Sequence, residues 1–326
     1  RMDFALTDTQ KEVAELAGKV LGSTRDADTL WARAAEAGLL GVAIAEEAGG
    51  AGHDLLAWCA LMTAAGATAA PIPLWAASVA AMAIDRFGTP AQRALLPDLV
   101  TGVALAVPAF TREPGTGAWT AVPSATRATR ILIVDGDAMQ LVDPAAPGVT
   151  VEAQTSTTGE PCGRVTLSAA APREPLGPPG AATWLRERAT VGLCALELGI
   201  VERVLAMTAK YTTERVQFDR PIATFQAVAQ RAADAYIDVE VIRLTMWQAA
   251  WRLAQELPAA GEIAVAKFFA AEGGQRVTYA AQHLHGGIGF DLDYPLARYY
   301  PLSKQTELTL GGAYETLARL GALLAE

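Results

Sequence analysis

Two acidic residues near the end of the chain could act as a catalytic base. Glu307 and Glu315 lie in the segment ELTLGGAYETLARLG (307–321). A carboxylate in a dry pocket can remove a proton from carbon, because desolvation raises its pKa towards neutrality. Glu307 follows Lys304 by one helical turn, which favours a surface ion pair. The role of Glu315 therefore decides whether the chain carries its own base.

A second group of residues could bind a phosphate-bearing cofactor. In TTERVQFDRP, Arg215 stands three residues before Phe218, and helical spacing would put both on one face. A guanidinium can bind a pyrophosphate through two hydrogen bonds while an aromatic ring packs on a planar ring. In HGGIGF, Gly286, Gly287 and Gly289 offer backbone amides without Cβ shielding, which suits a phosphate. Taken singly, these features are also typical of surface and turn residues.

The type of secondary structure that must position these residues changes twice along the chain. Apolar residues recur at helical spacing in 1–105, whereas 106–179 is rich in Pro, Thr, Gly and Val and shows short strand patterns. Helical spacing returns in 180–326, where the long segments are typical of a four-helix bundle. We therefore predict a mainly α fold with a small central β domain, divided into three domains at these boundaries.

Short sequence patterns predict where several helices begin or end and where strands form. Thr7 or Asp8 is a plausible N-cap for DTQKEVAELAGKVL, Gly38 is a helix stop, and Thr89-Pro90 opens a helix. The strand candidates are TRILIVDG, AMQLVD, GVTVEA and GRVTLSA.

Composition excludes several functional classes. The chain has 326 residues, of which 52% are hydrophobic, and a net charge of −9. It should therefore fold as a globular protein, and nucleic acid is an unsuitable partner because phosphate binding needs clustered Lys and Arg. The three cysteines lack metal or disulfide spacing and read as reduced thiols. With no secretory signal pattern at its start, the chain is expected to be cytoplasmic.

An uncharged stretch between Asp54 and Asp85 could be mistaken for a membrane span. Pro71 and Pro73 interrupt it, and most of its other residues are only weakly apolar. Two Ala-rich helices meeting at a Pro-x-Pro corner explain the stretch better than a membrane helix, which needs about 20 strongly apolar residues. We expect no membrane segment.

The order of elements and five strings of sequence resemble one family. The strings are FALTDTQKEV, AEAGLLGVAIAEEAGGAGHDLL, TREPGTG, KYTTERVQFDRPIATFQAVAQRAAD and HLHGGIGFDLDYPLARYY. Together they resemble the acyl-CoA dehydrogenase family of flavoproteins over nearly the whole chain, although the β domain is shorter than usual in that family.

The resemblance implies FAD, held mainly by a neighbouring subunit, and a set of contacts to it. His283 replaces the glutamine that the family places before its HGG motif, and it can still donate a hydrogen bond. Gln226 in ATFQAV also matches, although a plain helix-surface amide explains it equally well. The implied cofactor contacts are Arg215, Phe218, Gln226, His283, Gly286 and Gly287.

The resemblance also implies where a base should stand. The family removes the α-proton of an acyl thioester while flavin N5 takes the β-hydrogen as hydride, so a carboxylate must face the substrate. Alignment on Lys304 puts the common base position at Leu310, and the alternative position falls at Ala189. Neither residue can accept a proton. Use of Glu315 would require extra residues after Lys304.

Three further residues have weaker interpretations. Glu197 in CALELG is expected to be partly exposed or to form a buried salt bridge. Trp119 and Thr120 distantly resemble the family's flavin-lining KxWITN strand, for which the chain has no clear counterpart.

The missing base and retained cofactor motifs resemble the smaller subunits of actinobacterial heteromeric (α2β2) acyl-CoA dehydrogenases, including steroid-degrading enzymes. We therefore expect an FAD-binding subunit, without a catalytic residue or metal of its own, that pairs with a paralogue carrying the glutamate. The assembly would act on acyl-CoA, with steroid-CoA as one possibility. Two alternatives are a complete homotetrameric dehydrogenase using Glu315 and a non-enzymatic acyl-CoA-binding or scaffold module.

Overall fold

Helices form both ends of the chain and short strands form its middle, which confirms the predicted fold class. The structure is a computed structural model and describes residues 5–325. The helices before the strands are α1 (Asp8–Leu21), α2 (Ala27–Glu36), α3 (Leu55–Thr68), α4 (Leu74–Phe87), α5 (Pro90–Arg93) and α6 (Leu96–Val100). The strands of this middle region are β1 (Ala106–Ala109), β2 (Ala118–Pro123), β3 (Arg130–Asp135), β4 (Ala138–Val142), β5 (Val149–Gln154), β6 (Cys162–Leu167) and β7 (Glu174–Pro175).

Long helices then dominate the C-terminal part. They are α7 (Ala181–Glu214), α8 (Gln226–Ala254), α9 (Ala260–His285), α10 (Tyr299–Leu308) and α11 (Ala313–Ala325). Between α7 and α8 lies a hairpin of β8 (Val216–Gln217) and β9 (Arg220–Pro221).

The predicted helix ends are confirmed by their capping contacts. Before α1, the Thr7 hydroxyl accepts from the Gln10 amide at 3.3 Å, and the Gln10 side chain accepts from the Thr7 amide at 3.0 Å. This reciprocal capping box satisfies two backbone donors that a helix start leaves unpaired. Thr89 forms the same motif before α5. After α2, Gly38 has φ +74°, the left-handed conformation that ends helices.

The Ala-rich stretch forms α3 and α4, with Pro71 and Pro73 between them, as predicted. Among residues 5–325, no helix has the length and apolar character needed to cross a membrane.

The chain forms two compact units. One comprises the described parts of Arg1–Gly18, Cys59–Ala70 and Thr190–Glu326, and the other comprises Lys19–Trp58 and Pro71–Ala189. The proposed domain boundaries at residues 105 and 179 stay predictions.

The unit that contains the central strands has two sheets, ordered β1-β3-β4-β7 and β2-β6-β5. Strand β1 runs parallel to β3, whereas the other pairings in these two sheets are antiparallel. Trp119 lies in the apolar core of this unit, and its indole donates to the Val134 carbonyl at 3.4 Å. Trp119 is 2% exposed, so its proposed likeness to a flavin-lining tryptophan is wrong: a side chain sealed in a core cannot face a cofactor.

The other unit packs its long helices at close range. Helices α8 and α9 contact each other extensively, and α10 and α11 also pack on α9. Helix α3 meets α7 at Gly66 and Gly199, where an added Cβ would lie 1.9 Å from the Leu196 carbonyl oxygen and 1.8 Å from the Thr63 carbonyl oxygen. The two backbones can approach this closely because neither glycine has a side chain.

Candidate functional site

Arg215 and Phe218 do not share a helix face, which corrects the prediction. Helix α7 ends at Glu214, and the Ile222 amide donates to the Arg215 carbonyl at 2.8 Å, starting the hairpin. Phe218 and Asp219 form its two-residue turn with φ of +53° and +61°. Positive φ at both central residues defines the type I′ turn, whose twist matches antiparallel strands. The Phe218 side chain is 86% exposed, so the hairpin presents an aromatic ring to solvent.

The hairpin is supported from the start of α8. The Arg220 guanidinium lies 4.1 Å from the centre of the Phe225 ring, a cation–π contact. Phe225 also meets Phe218 edge to face, with 6.1 Å between ring centres. Gln226, the next residue, begins α8 and is exposed.

The HGGIGF segment is a 3-10 turn, Gly286–Phe290, that directly follows α9. A Cβ added at Gly286 or Gly287 would meet nothing within 4 Å. Gly289 differs: it is buried, and its Cβ would lie 3.0 Å from the Gln282 carbonyl oxygen. Only the first two glycines therefore have open space at the Cβ position, and the phosphate role suggested for Gly289 stays a prediction. The neighbouring His283 is exposed.

The hairpin and the glycine turn are linked through one ring contact. The ring of Tyr211, one turn before Arg215, stacks on the ring of His285, one residue before Gly286, with 4.4 Å between ring centres. The structure thus brings together the two cofactor motifs that the sequence identified separately. Two open glycines, the exposed Arg215 and the exposed ring of Phe218 have the chemistry to bind the phosphates and planar rings of FAD.

Leu310, which the resemblance puts at the common base position, lies in a turn after α10. Leu310 adopts φ +63° and Gly311 φ +107°, and both are partly buried. Glu307 pairs with Lys304 at 2.5 Å, which confirms the predicted i, i+3 pair, although the Glu307 side chain is largely buried. Glu315, in the first turn of α11, is exposed.

Ala189, which the resemblance puts at the alternative base position, lies in a closed environment. Ala189 is fully buried, and its carbonyl accepts a hydrogen bond from the Trp75 indole at 3.0 Å. Trp75 in turn packs against Phe110, with 6.2 Å between ring centres. Glu187, the acid two residues before Ala189, lies 4.0 Å from the Arg188 guanidinium.

A buried polar cluster was missed by sequence reasoning. Glu197 is 1% exposed, and its Oε1 accepts from the Ser303 hydroxyl at 2.6 Å. Its Oε2 has no hydrogen-bond partner, and no cation lies within 4 Å of the carboxylate, among the described residues. The expectation of a partly exposed or salt-bridged acid is therefore wrong. Burial raises the pKa of Glu197 to about 7, against the opposing effect of the Ser303 hydrogen bond.

Two residues of α9 contribute to this cluster. Gly274 makes room for it, since a Cβ there would lie 2.3 Å from Glu197 Oε1. Lys267, also 1% exposed, donates from Nζ to the carbonyls of Thr306 and Glu307 at 2.7 and 3.0 Å. It thereby satisfies acceptors at the end of α10, and burial lowers its pKa. The one signal for this cluster in the sequence was an acid in an apolar helix. Its neighbours Gly274 and Ser303 are far from Glu197 along the chain, so the sequence does not reveal them.

The described residues contain no cluster of His, Cys, Asp or Glu that could hold a metal ion.

A helical chain with a small β region and a glycine turn suited to FAD defines a flavin-dependent dehydrogenase. The family models described as "Acyl-CoA dehydrogenase, N-terminal domain" and "Acyl-CoA dehydrogenase, C-terminal domain" match residues 5–103 and 182–322. The chain therefore belongs to the acyl-CoA dehydrogenase family, FAD-dependent oxidoreductases that act on CH–CH bonds. The predicted family and cofactor are confirmed.

Relatives cover the whole chain. It is 37% identical to acyl-CoA dehydrogenase FadE27 of Mycobacterium tuberculosis, over 100% of this chain and 99% of FadE27. It is similar to a chain of the ChsE4-ChsE5 complex from Mycobacterium tuberculosis, with 36% identity, a TM-score of 0.93, and coverage of 100% and 99%. It is also similar to a chain of the Tcur3481-Tcur3483 steroid ACAD G363A variant, with 38% identity, a TM-score of 0.90, and 97% coverage of both chains.

Proposed function

We propose that this chain is one subunit of a heteromeric α2β2 acyl-CoA dehydrogenase whose catalytic glutamate belongs to a paralogous subunit. The assembly introduces an α,β double bond into an acyl-CoA thioester, with steroid-CoA as the substrate class that the relatives suggest. FAD, when bound, accepts the hydride. The residues of this chain that contact it are Arg215, Phe218, Gln226, His283, Gly286 and Gly287.

The observation that carries this proposal is the chemistry of the two base positions. Leu310 has an apolar side chain, and Ala189 is a buried alanine whose carbonyl is bonded to an indole. Proton abstraction from the carbon next to a thioester needs a group that accepts a proton. Neither position supplies one.

The nearby acids also lack the required setting. Glu307 is committed to Lys304, and Glu197 is enclosed between Ser303 and Gly274. Glu315 is exposed to water, whereas a base for this reaction works in a dry pocket. These placements support a base in another chain.

Exposed apolar side chains support a partner. Phe218 is 86% exposed, Phe290 is 71% exposed and Leu292 is 90% exposed, all on or beside the two cofactor motifs. Large exposed apolar side chains of this kind mark surfaces that another molecule covers. Both solved relatives at 36–38% identity carry paired names, ChsE4-ChsE5 and Tcur3481-Tcur3483, which supports a second type of subunit.

Co-expression with a paralogue from the same genome tests the proposal. We expect the lone chain to purify without flavin absorbance, and the complex to carry FAD and to desaturate an acyl-CoA. Replacing the partner's base glutamate by glutamine should abolish turnover without releasing FAD. A lone chain that binds FAD and turns over would contradict the proposal, and a complex without flavin would favour a scaffold role.

A homotetramer that uses Glu315 is the second candidate, favoured by one contact. Glu315 Oε2 lies only 3.1 Å from the place where a Cβ of Gly311 would stand, so its carboxylate reaches the turn that holds Leu310. The variant Glu315→Gln separates the two candidates in whichever preparation turns over, the lone chain or the co-expressed complex. Retained turnover supports the heteromer, and loss of turnover with FAD still bound supports the homotetramer chemistry.

A further inference from the structure

His285 contacts both cofactor motifs from a buried position. Its ring stacks on Tyr211 of α7 with an interplanar angle of 21° and lies 5.4 Å from the ring of Tyr294, which follows the glycine turn. Its Cβ is 3.3 Å from the place where a Cβ of Gly289 would stand. The side chain is 3% exposed. It therefore packs beneath the turn and does not face a ligand.

The hydrogen bonding of His285 defines its neutral tautomer. Nδ1 lies 2.7 Å from the Ala281 carbonyl oxygen, and a carbonyl oxygen can only accept, so Nδ1 carries the hydrogen. Nε2 is then an unprotonated acceptor, buried and without a partner in the described part of the chain. A second proton would create a buried N–H with no acceptor, which is unfavourable.

The stack links two backbones at the points where each leaves its helix. The Arg215 amide donates to the Tyr211 carbonyl at 2.8 Å, in the last hydrogen bond before the hairpin. On the other side, the Gly286 amide donates to the His283 carbonyl and ends α9. A displacement of the His285 ring would therefore move the hairpin and the turn relative to each other.

We propose that His285 is a positioning residue that, through its stack on Tyr211, holds the hairpin and the HGGIGF turn in the mutual arrangement that binds FAD. The inference rests on the proposed function for its ligand, FAD, but the coupling itself is a property of this chain. His285 does not touch the cofactor, and it sets the spacing between Arg215 on one side and Gly286 and Gly287 on the other.

The first test measures FAD affinity in the complex with the partner. We expect His285→Ala to weaken FAD binding at least tenfold, and His285→Phe, which keeps a stacking ring, to stay within threefold of the wild type. Val277→Ala, a buried change two turns earlier on α9, should lower the melting temperature without weakening FAD binding. An unchanged FAD affinity in His285→Ala would overturn the proposal. So would an equal loss of affinity in His285→Phe or in Val277→Ala.

The second test needs neither the partner nor FAD. Hydrogen-exchange protection of residues 286–290 in the full chain should fall in His285→Ala and in Tyr211→Leu and persist in His285→Phe. If the wild-type complex binds no FAD, the proposed function fails while this measurement still reports the coupling. Full protection of the turn in both His285→Ala and Tyr211→Leu would refute it.

A pH series adds a readout that a plain packing role would not change. Burial lowers the pKa of His285 below its ordinary 6.5, and the titratable side chains in ring contact with it are Tyr211 and Tyr294. Protection factors for 286–290 should therefore fall below pH 6.5 in the wild type and stay flat in His285→Phe. The same acid loss in His285→Phe would count against the proposal.

Discussion

Helix α9 carries glycines in two opposite environments. In its middle, Gly274 touches the buried Glu197 carboxylate, and a Cβ there would collide with it. Beyond its end, Gly286 and Gly287 have open space where a Cβ would stand. The same residue type thus makes room for a neighbour inside the protein and leaves backbone free at its surface. The first environment affects the stability of the fold, and the second determines what can approach the turn.

The largest effect should come from the charge on Glu197. The folded-state pKa of about 7 exceeds the ordinary 4.5, so the folded chain holds a proton that the unfolded chain releases. The contribution of Glu197 to the unfolding free energy is then greatest below pH 4.5, and it falls by on the order of 3 kcal/mol as the pH rises to 7. Glu197→Gln should remove this decline, which urea unfolding at several pH values would measure. An unchanged pH slope would contradict the burial of an acid.

Filling the room beside Glu197 should cost somewhat less. Gly274→Ala places a methyl group against the carboxylate and disturbs the Ser303 hydrogen bond, so we expect about 2 kcal/mol lower unfolding free energy. The adjacent Gly273 is the matched control, since its Cβ would come no closer than 3.2 Å to the terminal methyl group of Ile242. Gly273→Ala should be close to neutral. Equal losses of unfolding free energy in Gly274→Ala and Gly273→Ala would show that the contact with the carboxylate is not the cause.

At the hairpin, a substitution should raise stability slightly. Phe218 bears a left-handed conformation that costs a non-glycine residue about 1 kcal/mol, whereas asparagine tolerates it. Phe218→Asn should therefore gain up to about 1 kcal/mol in the lone chain while weakening FAD retention in the complex. Thermal unfolding and flavin content measure the two effects. Gln217→Asn, beside it, serves as a control that should change neither.

The smallest change in stability is expected at Gly287. Its Cβ would meet nothing and its φ lies outside the left-handed region, so Gly287→Ala should stay within about 0.5 kcal/mol of the wild type. Gly286, at φ +63° and ψ −140°, is in a region that only glycine occupies freely. Gly286→Ala should cost more, and calorimetry of both variants would show whether the turn depends on backbone freedom at one position or at two.

Sequence patterns predicted much of the fold because those patterns come from burial. Strands β3 to β6 match the predicted segments, and the ends of α1 and α2 match their capping residues. Strand β1 was missed because Pro108 breaks its pattern and all four of its residues are buried. Strand β2 was missed because a register shift between Trp119 and Val122 interrupts its alternation.

The sequence identified the candidate motifs, but it did not predict their geometry. The spacing of Arg215 and Phe218 suggested a helix, and the type I′ turn at Phe218-Asp219 lacks the usual Asn-Gly signal. The Glu197 environment depends on Gly274 and Ser303, which only the tertiary structure brings near. The stack of His285 on Tyr211 is likewise invisible to local pattern, since neither residue has a local reason to meet the other.

The left-handed turn at Leu310 has a consequence for protein engineering. Leucine already bears the backbone strain of φ +63° there, so a glutamate in its place would add almost none. The main chain at this position would therefore accept a carboxylate side chain as readily as the apolar side chain that it carries. At position 189, by contrast, a longer side chain would have to find room in a fully packed interior.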